Sequence, residues 1–240
     1  MTTLWTSGCS YTQYCWPTWA NYLGQHYDRH VQRGQCNVDC ATIGRNIYYQ
    51  DIQPGDHVAI AWTGFDRFTF YSDAEGWYGG NCTSDKTFFT NYYHPYERFS
   101  SMLDMMYLLE QDSKARDYEI WHFAAFPFLT AETMMDVHKK IQEKYNLFED
   151  KFKNFFVENN LWDFREDQGT IIVQHKYNEH DNHPTPQCHW DWLSQTVAPA
   201  MNISLHDLSN EVASDQKRVL NGSVDFDNLE LYTEKDNAKD

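Results

Sequence analysis

Short apolar runs alternate along the chain with longer segments of helical periodicity. The first run, Thr3 to Cys9, is rich in strand formers and closes at Gly8, as expected of a buried strand opening into a loop. Trp16 to Tyr27 follows, where Pro17 suits a first helical position and Trp19, Tyr22 and Leu23 recur at helical spacing. A second strand is expected over Val31 to Val38, then a turn from Ala41 to Asn46 that leads into Ile47 to Ile52. Pro54, Gly55 and Asp56 mark another turn. After it, His57 to Thr63 is almost continuously apolar, the signature of a strand covered on both faces.

Residues 71–95 mix Gly, Asn, Ser, Asp and aromatics without clean periodicity and read as a long excursion from the sheet edge, and loops of that length are often functional. A helix is predicted over Tyr96 to Gln111, with Met102, Met105, Met106, Leu108 and Leu109 on its apolar face. The strand Tyr118 to Ala124 comes next, then a helical stretch from Ala131 to Asn159 broken near Asn146. Thr170 to Gln174 reads as a last strand, followed by a polar loop from Asn178 to Pro184 and a helix from Gln187 to Met201. Strands alternating with helices predict an α/β fold, a three-layer α/β/α sandwich around a mostly parallel, flavodoxin-like sheet. Residues 1–206 form the expected domain. Residues 207–240 are a polar, acidic tail whose composition fits either disorder or docking onto a partner.

Composition narrows the partners. The 240 residues are 41% hydrophobic and 17% aromatic, enough for a core and for an aromatic-lined groove. A net charge of −16, from 35 acidic against 19 basic residues, repels a phosphate backbone and argues against nucleic acid. No stretch approaches the ~18 apolar residues of a membrane span, and Met1 leads straight into strand-like sequence. The expectation is a soluble protein with no membrane partner, made without an N-terminal secretion signal and placed in the cytoplasm. The six cysteines form no CxxC pair and read as buried free thiols. Asn81, Asn202 and Asn221 open glycosylation sequons that matter only in a glycosylating compartment.

In an open α/β sheet, ligands sit beyond the carboxyl ends of the strands. Ser7 to Thr12, Gly44 to Asn46 and Trp62 to Arg67 occupy such places. Near the chain end, Asp181 precedes His183 by two residues, on a loop stiffened by Pro184 and Pro186 and leading into a helix. That spacing lets a carboxylate hold the imidazole Nδ1, which leaves Nε2 to take a proton from a serine. Other readings stand beside this one. Ser10 after a strand also suits a turn or cap, and His180, Asp181, His183, Cys188 and His189 are all zinc-ligand types, although their spacing matches no closed four-ligand pattern. Cys9 is a second nucleophile type but reads as packing. Phe88 to Tyr96 suits either sugar stacking or a hydrophobic plug.

Gly8 to Thr12 resembles the Gly-Asp-Ser block of the SGNH (GDSL-type) hydrolases, and Asp181, His183 and Pro184 resemble their C-terminal Asp-His-Pro block, one residue shorter. Together with Trp16 to Ala20, Asp56 to Thr63 and Arg67, these blocks look like SGNH-like proteins of bacteriophages and marine bacteria. The resemblance covers roughly residues 3 to 200. It implies Ser10 as nucleophile, His183 as general base and Asp181 as its orienting acid, with oxyanion donors from Ser10, Gly44, Asn46 and Thr63 and substrate contacts from Tyr11, Trp62 and Arg67. It implies no cofactor and no metal, and a small-molecule or glycan ester as substrate. Two places depart from the family pattern: Cys9 replaces the Asp before the serine, and the third block, which normally supplies an Asn side chain to the oxyanion, reads Trp62 to Asp66 here, with Thr63 or Arg67 as candidate substitutes. The alternative to an esterase is therefore a weak or inactive SGNH-like domain in a binding or structural role, such as a virion component. A homo-oligomer or a virion partner stays open, as does a virion or host-cytoplasm location if the source is viral.

Overall fold

The computed structural model describes residues 1–73, 76–81, 86–127, 160–167, 173–175, 178–181, 183–222 and 234–236, with single positions between 143 and 156 and at 224. The first half contributes β1 (Thr3–Gly8), α1 (Trp19–Gly24), β2 (Arg29–Gln32), α2 (Cys40–Tyr48) and β3 (His57–Trp62). After these come β4 (Arg67–Ser72), β5 (Gly76–Asn81), α3 (Lys86–Asn91), α4 (Pro95–Arg116), β6 (Glu119–Ala124) and β7 (Phe155–Phe156). The chain continues through α5 (Leu161–Asp167), β8 (Val173–His175), β9 (Asn178–Asp181), α6 (Pro186–Trp192), a π-helical turn (Leu193–Val197), α7 (Ala198–Ala200), α8 (Ser209–Leu220) and β10 (Glu234–Asp236).

The main sheet has the order β10-β2-β1-β3-β6-β7, parallel from β2 to β7 with β10 antiparallel at one edge. This is the mostly parallel α/β fold that the alternating pattern predicts. A strand flanked on both edges and covered on both faces must be apolar throughout, and β3 is: Val58 to Trp62 are fully buried. Helices α2 and α4 pack together on one face, and α1, α6 and α8 pack together on the other. Trp62 and His122 point to the α4 side, where His122 meets Glu110, while Phe123 packs against Trp192 of α6. The amino ends of the strands are tied by Asp56, which accepts hydrogen bonds from the Thr3 amide at 2.9 Å, the Trp5 indole at 3.1 Å and the Gln53 amide at 3.0 Å.

Several elements differ from the sequence pattern, each for a packing reason. Ala41 to Asn46 is no turn but the body of α2, begun by the Asp39 side chain, which accepts from the Thr42 amide at 2.9 Å. Gly44 there reads as a turn former in isolation. In the fold it is a contact surface: a Cβ on it would lie 2.0 Å from Met105 Cγ of α4. The excursion after β3 contains regular structure, the antiparallel β4–β5 hairpin and α3. Asp39 holds the hairpin, accepting from the Thr69 amide at 3.0 Å while its own amide donates to Thr69 Oγ1 at 3.0 Å.

The expected last strand of the sheet is instead part of a separate two-stranded ladder, β8 with β9, and the outer parallel strand is β7, from a segment read as helical. Most of Ala131 to Asn159 lies outside the described residues. Packing does not stop at residue 206: Leu208, Val212, Asp215 and Val219 are buried, and the Tyr22 hydroxyl donates to Asp215 at 3.1 Å. Those positions recur at three or four residues, so α8 has an apolar stripe inside an acidic sequence. No described helix is long and apolar enough to cross a membrane.

Candidate active site

The sheet changes direction of winding between β1 and β3, since the chain passes from β1 outward to β2 and then returns to β3 on the other side. A crevice opens at such a switch point beyond the carboxyl ends of the strands. Ser10 lies two residues past β1 there. Its loop is set by the Cys9 carbonyl, which accepts from the amides of Thr12 at 2.8 Å and Gln13 at 3.2 Å. The Thr12 carbonyl in turn accepts from Thr18 Oγ1 and from the Gln32 side-chain amide. So tight a turn requires glycine at residue 8, where a Cβ would fall 2.0 Å from Thr12 Oγ1 and 2.8 Å from the Ala61 carbonyl oxygen.

The second half of the site comes from the loop joining β9 to α6. Asp181 Oδ1 accepts from both the backbone amide of His183 at 2.9 Å and its Nδ1 at 2.7 Å, a double grip that the two-residue spacing makes possible. The loop is fixed beyond the histidine as well. Pro184 accepts from the Trp16 indole at 2.9 Å, Thr185 caps α6, and Pro186 occupies its first turn. Because a carboxylate only accepts, Nδ1 carries the proton and Nε2 is left as an acceptor. That nitrogen lies 2.9 Å from Ser10 Oγ. Ser10, His183 and Asp181 are thus one hydrogen-bonded chain, with a general base in reach of a hydroxyl and its tautomer set from behind.

Burial grades along this chain. Asp181 is 1% exposed, and 24% of the His183 side chain reaches solvent. Burial pushes the Asp181 carboxyl up, but the hydrogen bonds and charge of His183, with the Tyr14 hydroxyl, outweigh it and hold the group well below the usual carboxylate range. Tyr14 donates to Asp181 Oδ2, and its ring stacks on the imidazole at 3.9 Å and 18°. Tyr11 meets the imidazole edge-on at 5.4 Å and stacks on Phe126 at 4.7 Å. Phe126 lies beside Trp162, over which the Arg165 guanidinium sits at 4.4 Å. Aromatic rings therefore line one side of the site as far as α5.

The remaining sequence-derived candidates divide. Among the described residues the Ser10 amide has no protein acceptor, so it is available to a ligand oxygen. Gly8 pairs with Ala61, so Ser10 and Thr63 each lie two residues beyond that register pair. Thr63 is fully buried, and among the described residues its Oγ1 has no hydrogen-bond partner. The structure places Gly44 inside α2 against Met105, and Asn46 donates its side-chain amide to the Arg33 carbonyl at 3.3 Å. Trp62 is fully buried, its indole donating to His122 Nδ1 at 3.1 Å. Arg67 donates to Asn37 at 2.9 Å and lines a cleft with Asp39, Gly64, Phe65 and Arg98.

Among the described residues no three metal-ligand side chains come together, and Cys188 and His189 are buried on α6. The residue that sequence reasoning missed is Tyr14; nothing in its spacing from Ser10 distinguishes it from the many other tyrosines.

No protein-family model matches the chain, and no curated protein matches it. Among solved structures it is similar to the protein YxiM of Bacillus subtilis, at 11% sequence identity and a TM-score of 0.41. The matched region covers 92% of this chain and 55% of that one, so this chain spans about half of YxiM's length.

Proposed function

We propose that this protein is a serine hydrolase of the SGNH kind, acting on a small O-acyl ester such as an acetylated glycan. The observation that carries the reading is the single chain of hydrogen bonds from Ser10 Oγ through His183 Nε2 and Nδ1 to Asp181, at 2.9 and 2.7 Å, placed at the switch point of the sheet. In this reading Ser10 Oγ attacks the ester carbonyl while His183 Nε2 takes the hydroxyl proton. The Ser10 amide, with Thr63 Oγ1, faces the developing oxyanion. Collapse of the tetrahedral intermediate breaks the bond to the alcohol, which leaves with the proton returned by His183. A water molecule, deprotonated by the same nitrogen, then attacks the acyl-serine and releases the acid.

The sequence resemblance to SGNH proteins supports the assignment at Ser10, Asp181, His183 and Pro184, while the absence of the family's third-block Asn from Trp62 to Asp66 predicts a slower enzyme than one with a full set of donors. The test is intact-mass detection of a serine-directed fluorophosphonate on wild type, Ser10→Ala and His183→Ala at neutral pH. Labelling of wild type alone is expected. An unlabelled wild type would move the protein to the non-catalytic, binding or structural class.

A further inference from the structure

Tyr14 stands four residues beyond Ser10 on the same loop and touches both other members of the hydrogen-bonded chain. Asp181 is almost fully buried, and a buried carboxylate needs donors on both oxygens. His183 supplies two, both to Oδ1; the Tyr14 hydroxyl supplies one to Oδ2. The plane of the carboxylate is thereby set from two directions. The Tyr14 ring also lies flat on the imidazole at 3.9 Å, while Tyr11 meets it edge-on at 5.4 Å. Tyr14 is itself braced by Trp16, 4.5 Å away at 80°, and the Trp16 indole donates to the carbonyl of Pro184, next to His183 in the chain. One loop thus carries Ser10 and also holds the imidazole that serves it.

We propose that Tyr14 is a positioning residue: its hydroxyl fixes Asp181 and its ring fixes the His183 imidazole, so that Nε2 stays aligned on Ser10 Oγ. The proposal rests on the serine-hydrolase reading and adds to it a residue outside the proposed triad. A side chain that only filled space or satisfied a buried charge would affect stability. A positioning residue affects the chemical step, because a misplaced base loses rate at unchanged substrate affinity.

Tyr14→Phe keeps the ring and removes the hydroxyl, and Tyr14→Leu removes both. With p-nitrophenyl acetate as probe, Tyr14→Phe is expected to lower kcat and the fluorophosphonate labelling rate about tenfold at unchanged KM, the equivalent of one lost hydrogen bond. Tyr14→Leu is expected to lower both about 100-fold. In proton NMR, the downfield resonance of the His183 Nδ1–H bonded to Asp181 shifts in Tyr14→Phe and is lost to exchange in Tyr14→Leu. A Tyr14→Phe protein labelled within about twofold of the wild-type rate, with that resonance unmoved, overturns the proposal, whatever its melting temperature. If wild type is not labelled at all, the hydrolase reading falls first. The resonance alone then decides Tyr14, and an unmoved signal in Tyr14→Phe sinks it.

Discussion

Among the described residues, two histidine–carboxylate pairs can be compared, one at the carboxyl end of the sheet and one inside it. At the end of the sheet, His183 Nδ1 lies 2.7 Å from Asp181 and Nε2 faces a hydroxyl at 2.9 Å. In the interior, His122 Nδ1 accepts from the Trp62 indole at 3.1 Å, so Nε2 carries the proton, and Glu110 lies 3.7 Å from it, beyond hydrogen-bond reach. His122 is fully buried, and burial lowers its pKa against the opposing pull of Glu110, which keeps it neutral. The difference teaches that a His beside a carboxylate is not in itself a proton-transfer device. His183 has an acceptor nitrogen directed at a hydroxyl and partial access to solvent; His122 has neither and serves as a polar joint between β3, β6 and α4.

The widest gap between the pairs should appear on mutation. His183→Ala is expected to reduce fluorophosphonate labelling by about 10³–10⁴-fold. His122→Phe should leave labelling within about threefold and cost about 1–3 kcal/mol in urea denaturation, since it strands the Trp62 indole in the core. The comparison breaks if His122→Phe, still folded, loses labelling as His183→Ala does.

Gly44 sharpens the same boundary, because the family resemblance places it in the site and the structure places it in the interior. Gly44→Ala should destabilise by about 1–3 kcal/mol through the clash with Met105 and leave labelling unchanged. A folded Gly44→Ala protein of wild-type stability with lost labelling would return Gly44 to the site.

The interior pair also shapes the acid stability profile. Burial, with the charge of His183, lowers His189 from its ordinary value of 6.5 to about 3, and His122 is lowered by burial too. A histidine whose folded pKa is depressed binds more protons when unfolded. Stability is therefore intact above about pH 6.5 and declines as pH falls toward the folded value, by at most about 1.4 kcal/mol per pH unit for each group. Asp181, with its depressed pKa, adds its own loss only below its ordinary value of 3.8. Between those limits the buried histidines dominate the slope among these groups, and His122→Phe should flatten it. A melting temperature unchanged from pH 7 to pH 4 would contradict the neutral, buried state of His122 and His189.

What was legible in the sequence follows from the range of each interaction. The β1 and β3 runs read clearly because strands buried on both faces are apolar at every position. Asp181 and His183 read clearly because a two-residue spacing closes one hydrogen-bonded ring. Gly44 and Asn46 misled because their turn-forming character is local, whereas their roles are set by α4 and by the carbonyl of Arg33. In the segment after residue 206, the buried positions of α8 are hard to read because they are spaced among charged residues. Trp62 ends β3 at the carboxyl edge of the sheet, but its side chain faces α4, which no local pattern specifies.

By itself the sequence determined the alternation of strands and helices, the tight glycine turn before Ser10 and the local grip of Asp181 on His183, all of which depend on neighbours a few residues apart. Only the tertiary structure decided which serine the histidine would meet, across 173 residues, and that Tyr14 would brace the pair. Only it decided that Trp62 and Gly44 would be core and that α8 would dock. The reason is physical: hydrogen bonds over two to four residues are limited by chain geometry. A contact between distant residues exists only once the sheet's order and register have brought their strand ends together.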